Sequence, residues 1–121
     1  MSALIPLRLL AHARARAVGG SLTIALALRD PADWRAVRAA TGAARVGAWL
    51  SALRPRTVKR VELAGLASFH FRFEAAAGAG RGHDLAFDPD GRAFAQKLLE
   101  MPVEIDRARA ETLTSAVVTP I

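Results

Sequence analysis

Cysteine and tyrosine are absent from the 121 residues, and aromatics of all kinds make up 6%. Without cysteine there is no disulfide and no thiolate metal site, and a reducing cytoplasm is the natural compartment. Long apolar runs are missing too, since none approaches the length needed to span a bilayer. Pro6 and Arg8 interrupt the N-terminal segment too early for a signal-peptide core. Acid is scarce, with 11 Asp and Glu against 17 Lys and Arg and a net charge of +6. Lysine is scarcer still, represented by Lys59 and Lys97 alone, so the positive charge is almost entirely arginine. A basic balance suits nucleic acid, an anionic membrane or an anionic metabolite such as a CoA thioester. A GC-rich genome also encodes arginine-rich, lysine-poor chains, and these arginines are spread along the sequence. Charge alone therefore selects no partner. With 52% hydrophobic and 23% charged residues, the chain has the composition of one folded domain with a single modest core.

Hydrophobic alternation supplies most of the organisation. From Leu7, residues Leu7, Leu9, Ala11, Ala13 and Ala15 fall on one face of a strand, with Arg8, His12, Arg14 and Arg16 on the other. After Gly19-Gly20 the pattern resumes, with Leu22, Ile24, Leu26 and Leu28 inward and Ser21, Thr23 and Arg29 outward. The two runs predict an antiparallel pair whose loop is somewhat longer than the tightest hairpin. Asp30-Pro31 then opens a helix, with Asp30 as cap and Asp33 complementing the positive helix end. Trp34, Val37 and Thr41 share its inner face. Gly42 interrupts, and Val46, Trp49, Leu50 and Leu53 form a second helical stripe that stops at Arg54-Pro55. Both tryptophans sit on apolar stripes, which assigns them to the core.

Thr57 to Leu63 is a further strand, with Val61 and Leu63 inward and Arg60 and Glu62 outward. Ser68 to Glu74 alternates most cleanly of all, placing Phe69, Phe71 and Phe73 on one face and Ser68, His70, Arg72 and Glu74 on the other. Residues 75 to 82 form a glycine-rich loop, 83 to 87 a short strand, and Asp88 to Gly91 a turn. A helix over 92 to 101 buries Phe94, Leu98 and Met101, and Val103 to Ile105 adds an edge strand. Residues 106 to 121 have weak periodicity and are expected to be a C-terminal tail or docking arm, with Val117 and Val118 as a contact, leaving 1 to 105 as the domain. Long half-apolar strands with few helices predict an α+β sandwich, a mainly antiparallel sheet with helices packed on one face.

Taken in order, the segments resemble the small ferredoxin-like domain at the C-terminus of AtuA-like (acyclic terpene utilisation) proteins, which also occurs as a stand-alone polypeptide. The likeness runs through Pro6-Leu7-Arg8, Leu10-Ala11-His12-Ala13-Arg14, Ile24 and Ala27 to Pro31. It continues through Ala44-Arg45-Val46, Val61-Glu62-Leu63, Leu66 and Phe69 to Phe73. It ends with Gly78, Gly80, Leu85, Asp88, Gly91-Arg92 and residues 95 to 101, so that roughly residues 5 to 105 are covered. The resemblance implies a ferredoxin-like fold. It also marks a departure. After His-Ala-Arg the family carries Ser-Gly-Asp-Lys-Gly-Asp and then Asn-Ile-Gly, whereas this chain has Ala15 to Gly20 and then Thr23-Ile24-Ala25. Both aspartates, the lysine and the asparagine are replaced. The family's later Gly-Gly-Gly becomes Gly78-Ala79-Gly80, and its Ser-Arg-Ser becomes Gly82-His83-Asp84.

In the family the charged loop and the glycine cluster suit an anion, because lysine and glycine-turn amides favour phosphate or carboxylate. The residues left for that role here are Arg14, Arg16, Gly19, Gly20, Ser21, Thr23, Gly78, Gly80 and Arg81. A structural hairpin turn is the competing reading. No nucleophile elbow surrounds Ser21 or Ser68, and Asp84, Asp88 and Asp90 sit in or beside a turn, where turn-forming and capping duties explain them. His12, His70 and His83 are too few for a metal site without carboxylate help, so neither metal nor cofactor is expected. His12, beside Arg14 on the polar face, is the candidate catalytic residue if there is one. An RNA-binding sheet would expose aromatics for stacking, but here the three strand phenylalanines share the apolar face, which disfavours nucleic acid. The resemblance implies a small accessory or ligand-binding protein linked to acyl-CoA, branched-chain or terpenoid catabolism. Such a chain would be non-catalytic alone and would work as a homo-oligomer or beside a larger AtuA-type subunit. The alternative is a subunit lending His12 and arginines to an acyl-CoA hydratase or lyase site.

Overall fold

The structure is a computed structural model, and it describes residues 1–18, 20–74 and 91–117. Among the described residues six strands and four helices follow one another as β1 (Ser2–Pro6), β2 (Ala11–Val18), β3 (Ser21–Leu28), α1 (Trp34–Ala40), α2 (Ala43–Trp49), β4 (Thr57–Leu63), β5 (Ser68–Glu74), α3 (Arg92–Leu99), β6 (Pro102–Asp106) and α4 (Arg107–Val117). Four strands form an antiparallel sheet in the order β2-β3-β5-β4, and β1 pairs with β6 in a second, two-stranded one. Helices cover one face of the larger sheet, giving the expected α+β sandwich.

The core grows from residue alternation on the two central strands. Register places Leu22, Ile24 and Leu26 of β3 opposite Phe73, Phe71 and Phe69 of β5, and all six are fully buried. Trp34 of α1 stacks on Phe69 with ring centroids 4.2 Å apart and planes 9° from parallel. Trp49 also packs against the core and donates its indole N–H to the Lys97 carbonyl at 2.6 Å, tying α2 to α3. The flanking strand β2 offers only Ala11, Ala13, Ala15 and Ala17 to this face, so α3 can approach closely and bury Phe94, Ala95 and Leu98. Gly91, immediately before α3, adopts φ +73°, and a Cβ there would lie 2.3 Å from a Leu22 methyl.

Asp30 caps its helical segment as expected, accepting from the Ala32 N–H at 2.9 Å. The first turn is 3-10 (Pro31–Asp33) before α1 begins. Asp33 is buried and receives a bidentate pair from Arg109, with Nε at 3.1 Å and Nη2 at 2.9 Å. Arg109 Nη2 also reaches Asp30 at 3.4 Å. These bonds, chiefly the one to Asp33, raise the pKa of the Arg109 guanidinium above its ordinary value. Among the described residues no helix is long and apolar enough to cross a membrane.

Four expectations need correction. The first strand does not run from Leu7: Pro6 ends β1, and Leu7–Leu9 form a 3-10 turn closed by Leu10 N–H to the Leu7 carbonyl. Leu7 and Leu10 are buried together at i, i+3, a spacing that the partial match of Leu7 and Leu9 to the strand period concealed. The β2–β3 connection is shorter than expected, because Val18 already pairs with Ser21. On β4 the faces are reversed. Register puts Val58, Arg60 and Glu62 on the helix side with the phenylalanines, while Val61 is half-exposed on the other face. Arg60 tolerates that side because its guanidinium lies 5.3 Å from the Phe69 ring centre and donates to the Arg38 and Thr41 carbonyls at the end of α1. Finally, the expected tail is helical through Val117. Asp106 caps α4 by accepting from the Ala108 N–H, and Ala110 is buried against β1. The strand expected at 83–87 and most of the turn after it lie outside the described residues, as do Val118 and the Val117 side chain.

Two substitutions test this framework. Gly91→Ala combines a left-handed backbone with a clash on Leu22 and is expected to cost about 2–4 kcal/mol in chemical denaturation. Arg109→Ala leaves the Asp33 carboxylate in its niche without a partner. It is expected to cost about 1–2 kcal/mol, a value already reduced for partial exposure, and to speed amide exchange in α4 first.

Candidate functional site

Because the phenylalanine row claims one face of the sheet, the opposite face consists of whatever alternates with it. Register arranges that face in rows about 4.8 Å per strand step. Val18 and Ser21 pair beside the β2–β3 turn and Thr57 pairs with Glu74 at the same end; the next row reads Arg16, Thr23, Arg72, Lys59, and the middle row reads Arg14, Ala25, His70, Val61. The far row reads His12, Ala27, Ser68, Leu63. Arg14, Arg16, Arg72 and Lys59 are exposed. Glu74 is the one carboxylate among the described strand residues of this face. It draws Arg72 Nε to 3.3 Å and Lys59 Nζ to 3.7 Å. Arg14 and Arg16 have no carboxylate partner among the described residues.

A shallow pocket of about 290 Å³ is lined by Arg16, Ser21, Thr23 and Arg72. Three of the residues expected to bind an anion therefore meet in one place, joined by Arg72 from β5. Arg14 lies two residues away on the same strand but lines a different cavity of about 400 Å³, between β2 and α3, with Ala13, Ala15, Arg92, Ala95 and Gln96. Gly20 is exposed in the turn, and a Cβ there would meet nothing within 4 Å. Gly19, Gly78, Gly80 and Arg81 lie outside the described residues. Alternation had already placed Arg72 on this face. Its adjacency to Thr23 and Arg16 required the strand order, which local pattern does not encode.

The histidines are held apart. His12 sits at the β2 end of the far row, where its Nε2 is 3.0 Å from Arg29 Nη1. Arginine has no lone pair to offer, so Nε2 accepts and the proton of the neutral ring resides on Nδ1. Arg29 also donates Nε–H to the Arg8 carbonyl at 3.1 Å, which anchors the pair to the turn after β1. His70 lies two strands from His12 and one row over, flanked by Ala25 and Val61. Among the described residues no group of His, Asp and Glu is placed to hold a metal ion. Ser68 is buried, with its hydroxyl donated to the Leu26 carbonyl. Glu62, whose carboxyl is held below its ordinary pKa, belongs to the helix side of β4. The Arg38 hydrogen bond is the main cause of its lowered pKa, with Arg60 adding to it.

Chemically, this face presents guanidinium forks and hydroxyls in a shallow pocket, a donor set for phosphate or carboxylate oxygens. Thr57 on the same face donates its hydroxyl to the Glu74 carboxylate at 3.4 Å. No aromatic side chain stands on the face among the described residues.

Comparison with known proteins adds one finding. No curated protein and no solved structure matches the chain. A family model described as the AtuA ferredoxin-like domain matches residues 5–104, from the last residues of β1 through most of β6. With nearly the whole described fold inside that match, the chain belongs to the AtuA ferredoxin-like domain family.

Proposed function

We propose that this protein is a small ligand-binding or accessory subunit associated with acyl-CoA, branched-chain or terpenoid catabolism, without catalytic activity as an isolated chain. Its open sheet face receives the anionic part of the ligand. The observation that carries the reading is the convergence of Arg16, Ser21, Thr23 and Arg72 in one pocket on a face whose described strand residues include a single carboxylate. Family membership supports the catabolic association, and the donor set supports a phosphate-bearing ligand such as an acyl-CoA. Arginine here takes the part that lysine plays in the family's charged loop. A guanidinium fork reaches two oxygens at once, so the replacement keeps charge but changes the preferred geometry.

The same donor set fits nucleic-acid phosphate less well. Single-stranded readers add aromatic stacking platforms, and the strand phenylalanines are fully buried on the opposite side.

Titration calorimetry with CoA and with pantetheine separates phosphate recognition from recognition of the thiol arm. CoA is expected to bind, pantetheine to bind at least about tenfold more weakly, and Arg16→Ala or Arg72→Ala to weaken CoA about tenfold each, in line with the loss of one charge-assisted contact. Equal affinity for both compounds, or variants that bind CoA as the parent does, would remove this reading.

A further inference from the structure

The outer edge of β4 is a seven-residue strand end to end, and among the described residues no strand pairs with it. The opposite edge of the sheet differs, since α3 lies alongside β2 there and shares a cavity with it. Exposed edges carry a row of unpaired backbone donors and acceptors and accept another strand unless their side chains forbid it. The β4 side chains do not forbid a strand of their own kind.

We propose that β4 pairs antiparallel with β4 of a second copy of this chain, about a two-fold axis through Val61. An axis perpendicular to the sheet keeps the helices of both copies on one side, so residues facing each other must come from the same side of their strands. That restricts the centre to a single residue, and charge selects which one. Centring on Lys59, Arg60 or Glu62 sets a charged residue against itself. Centring on Val58 sets Arg56 against Arg60. Centring on Val61 sets Val61 against Val61, Lys59 against Leu63, and Arg60 of each copy against Glu62 of the other. It is the only one of these registers with no facing like charges, and it adds a reciprocal ion pair.

Exposure agrees with the choice. Val61 is 51% exposed, one of the few large apolar side chains left open in the described residues, and it stands on the strand next to the free edge. Glu62 already lies 3.1 Å from its own Arg60 and 2.8 Å from Arg38, so the cross-strand pair extends an existing cluster rather than desolvating a lone charge. The result is a continuous eight-stranded sheet whose two basic faces lie side by side. This inference does not rest on the anion-binding reading, since the interface uses β4 and the pocket uses β2, β3 and β5.

The absence of native cysteine makes the test direct. Facing residues in antiparallel strands have Cα atoms about 4.5–5.5 Å apart, within the range a disulfide spans. Val61→Cys is expected to form a disulfide-linked dimer on mild oxidation, while Leu4→Cys, on the exposed face of β1, is expected to remain uncoupled. Light scattering is expected to give twice the chain mass for the parent protein. Val61→Lys, which places like charges on the axis, should weaken dimerisation at least about tenfold. A parent protein that stays monomeric at hundreds of micromolar overturns the proposal. So does a dimer in which Val61→Cys fails to couple, or one that a folded Val61→Lys chain still forms with parental affinity.

Discussion

Everything else in this fold is arranged around the pairing of β3 with β5. Six large side chains, three from each strand, lie fully buried in register on one face. At about 1.5–3 kcal/mol for each buried aliphatic or aromatic side chain, this patch is the largest single source of stability in a domain of this size. It also fixes polarity. A one-residue slip would turn every phenylalanine to the open side and bring Arg72 and His70 under the helices. The position of the basic face is thus a consequence of the core and needs no separate determinant.

The surrounding elements solve packing problems that this central patch creates. Bulky β3 and β5 leave little room for a helix beside β2, and the alanine stripe on that strand restores it, with Gly91 letting the chain enter α3 against Leu22. On the far side, Trp34 stacks on Phe69 and the Arg60 guanidinium lies over the same ring, so a cation from β4 completes the hydrophobic layer. Arg109 links the last helix to the start of α1 through Asp33, drawing the two-stranded sheet and α4 against the main body. The second sheet is therefore joined to the core by both apolar contact and a directed ion pair.

How much of this was readable in advance follows from the range of each signal. Strict period-two runs placed β3 and β5 and their inward faces correctly, and an aspartate followed by proline marked a helix start that the structure keeps. Signals failed where a long-range contact outweighed a local pattern. Arg60 and Glu62 look outward by type, yet β4 has to present Val58 to Gly47 of α2, and the rest of the strand follows that choice. Leu7 to Leu10 matched a strand over two positions and a 3-10 turn over three, and burial beneath α3 decided the matter. The helix at 107–117 was obscured because its buried contribution is small, with Ala110 inward and an arginine in place of an apolar anchor. For the pocket, the β2 and β3 contributors were visible from adjacency in the hairpin. Arg72 arrives from a strand nearly fifty residues later in the chain, and pairing order alone brings it there.

Composition left the meaning of the excess positive charge open, and the distribution of acids narrows it. Asp30 and Asp33 are engaged by Arg109, Glu62 by Arg38 and Arg60, and Glu100 by Arg8. Each of these pairs lies away from the open sheet face. Among the described strand residues of that face Glu74 is the one carboxylate, and it reaches Arg72 and Lys59 but neither Arg14 nor Arg16. Placing like charges on neighbouring strands costs stability. Among the described residues, Arg14 and Arg16 have no carboxylate partner, and Arg16 shares its pocket with Ser21, Thr23 and Arg72.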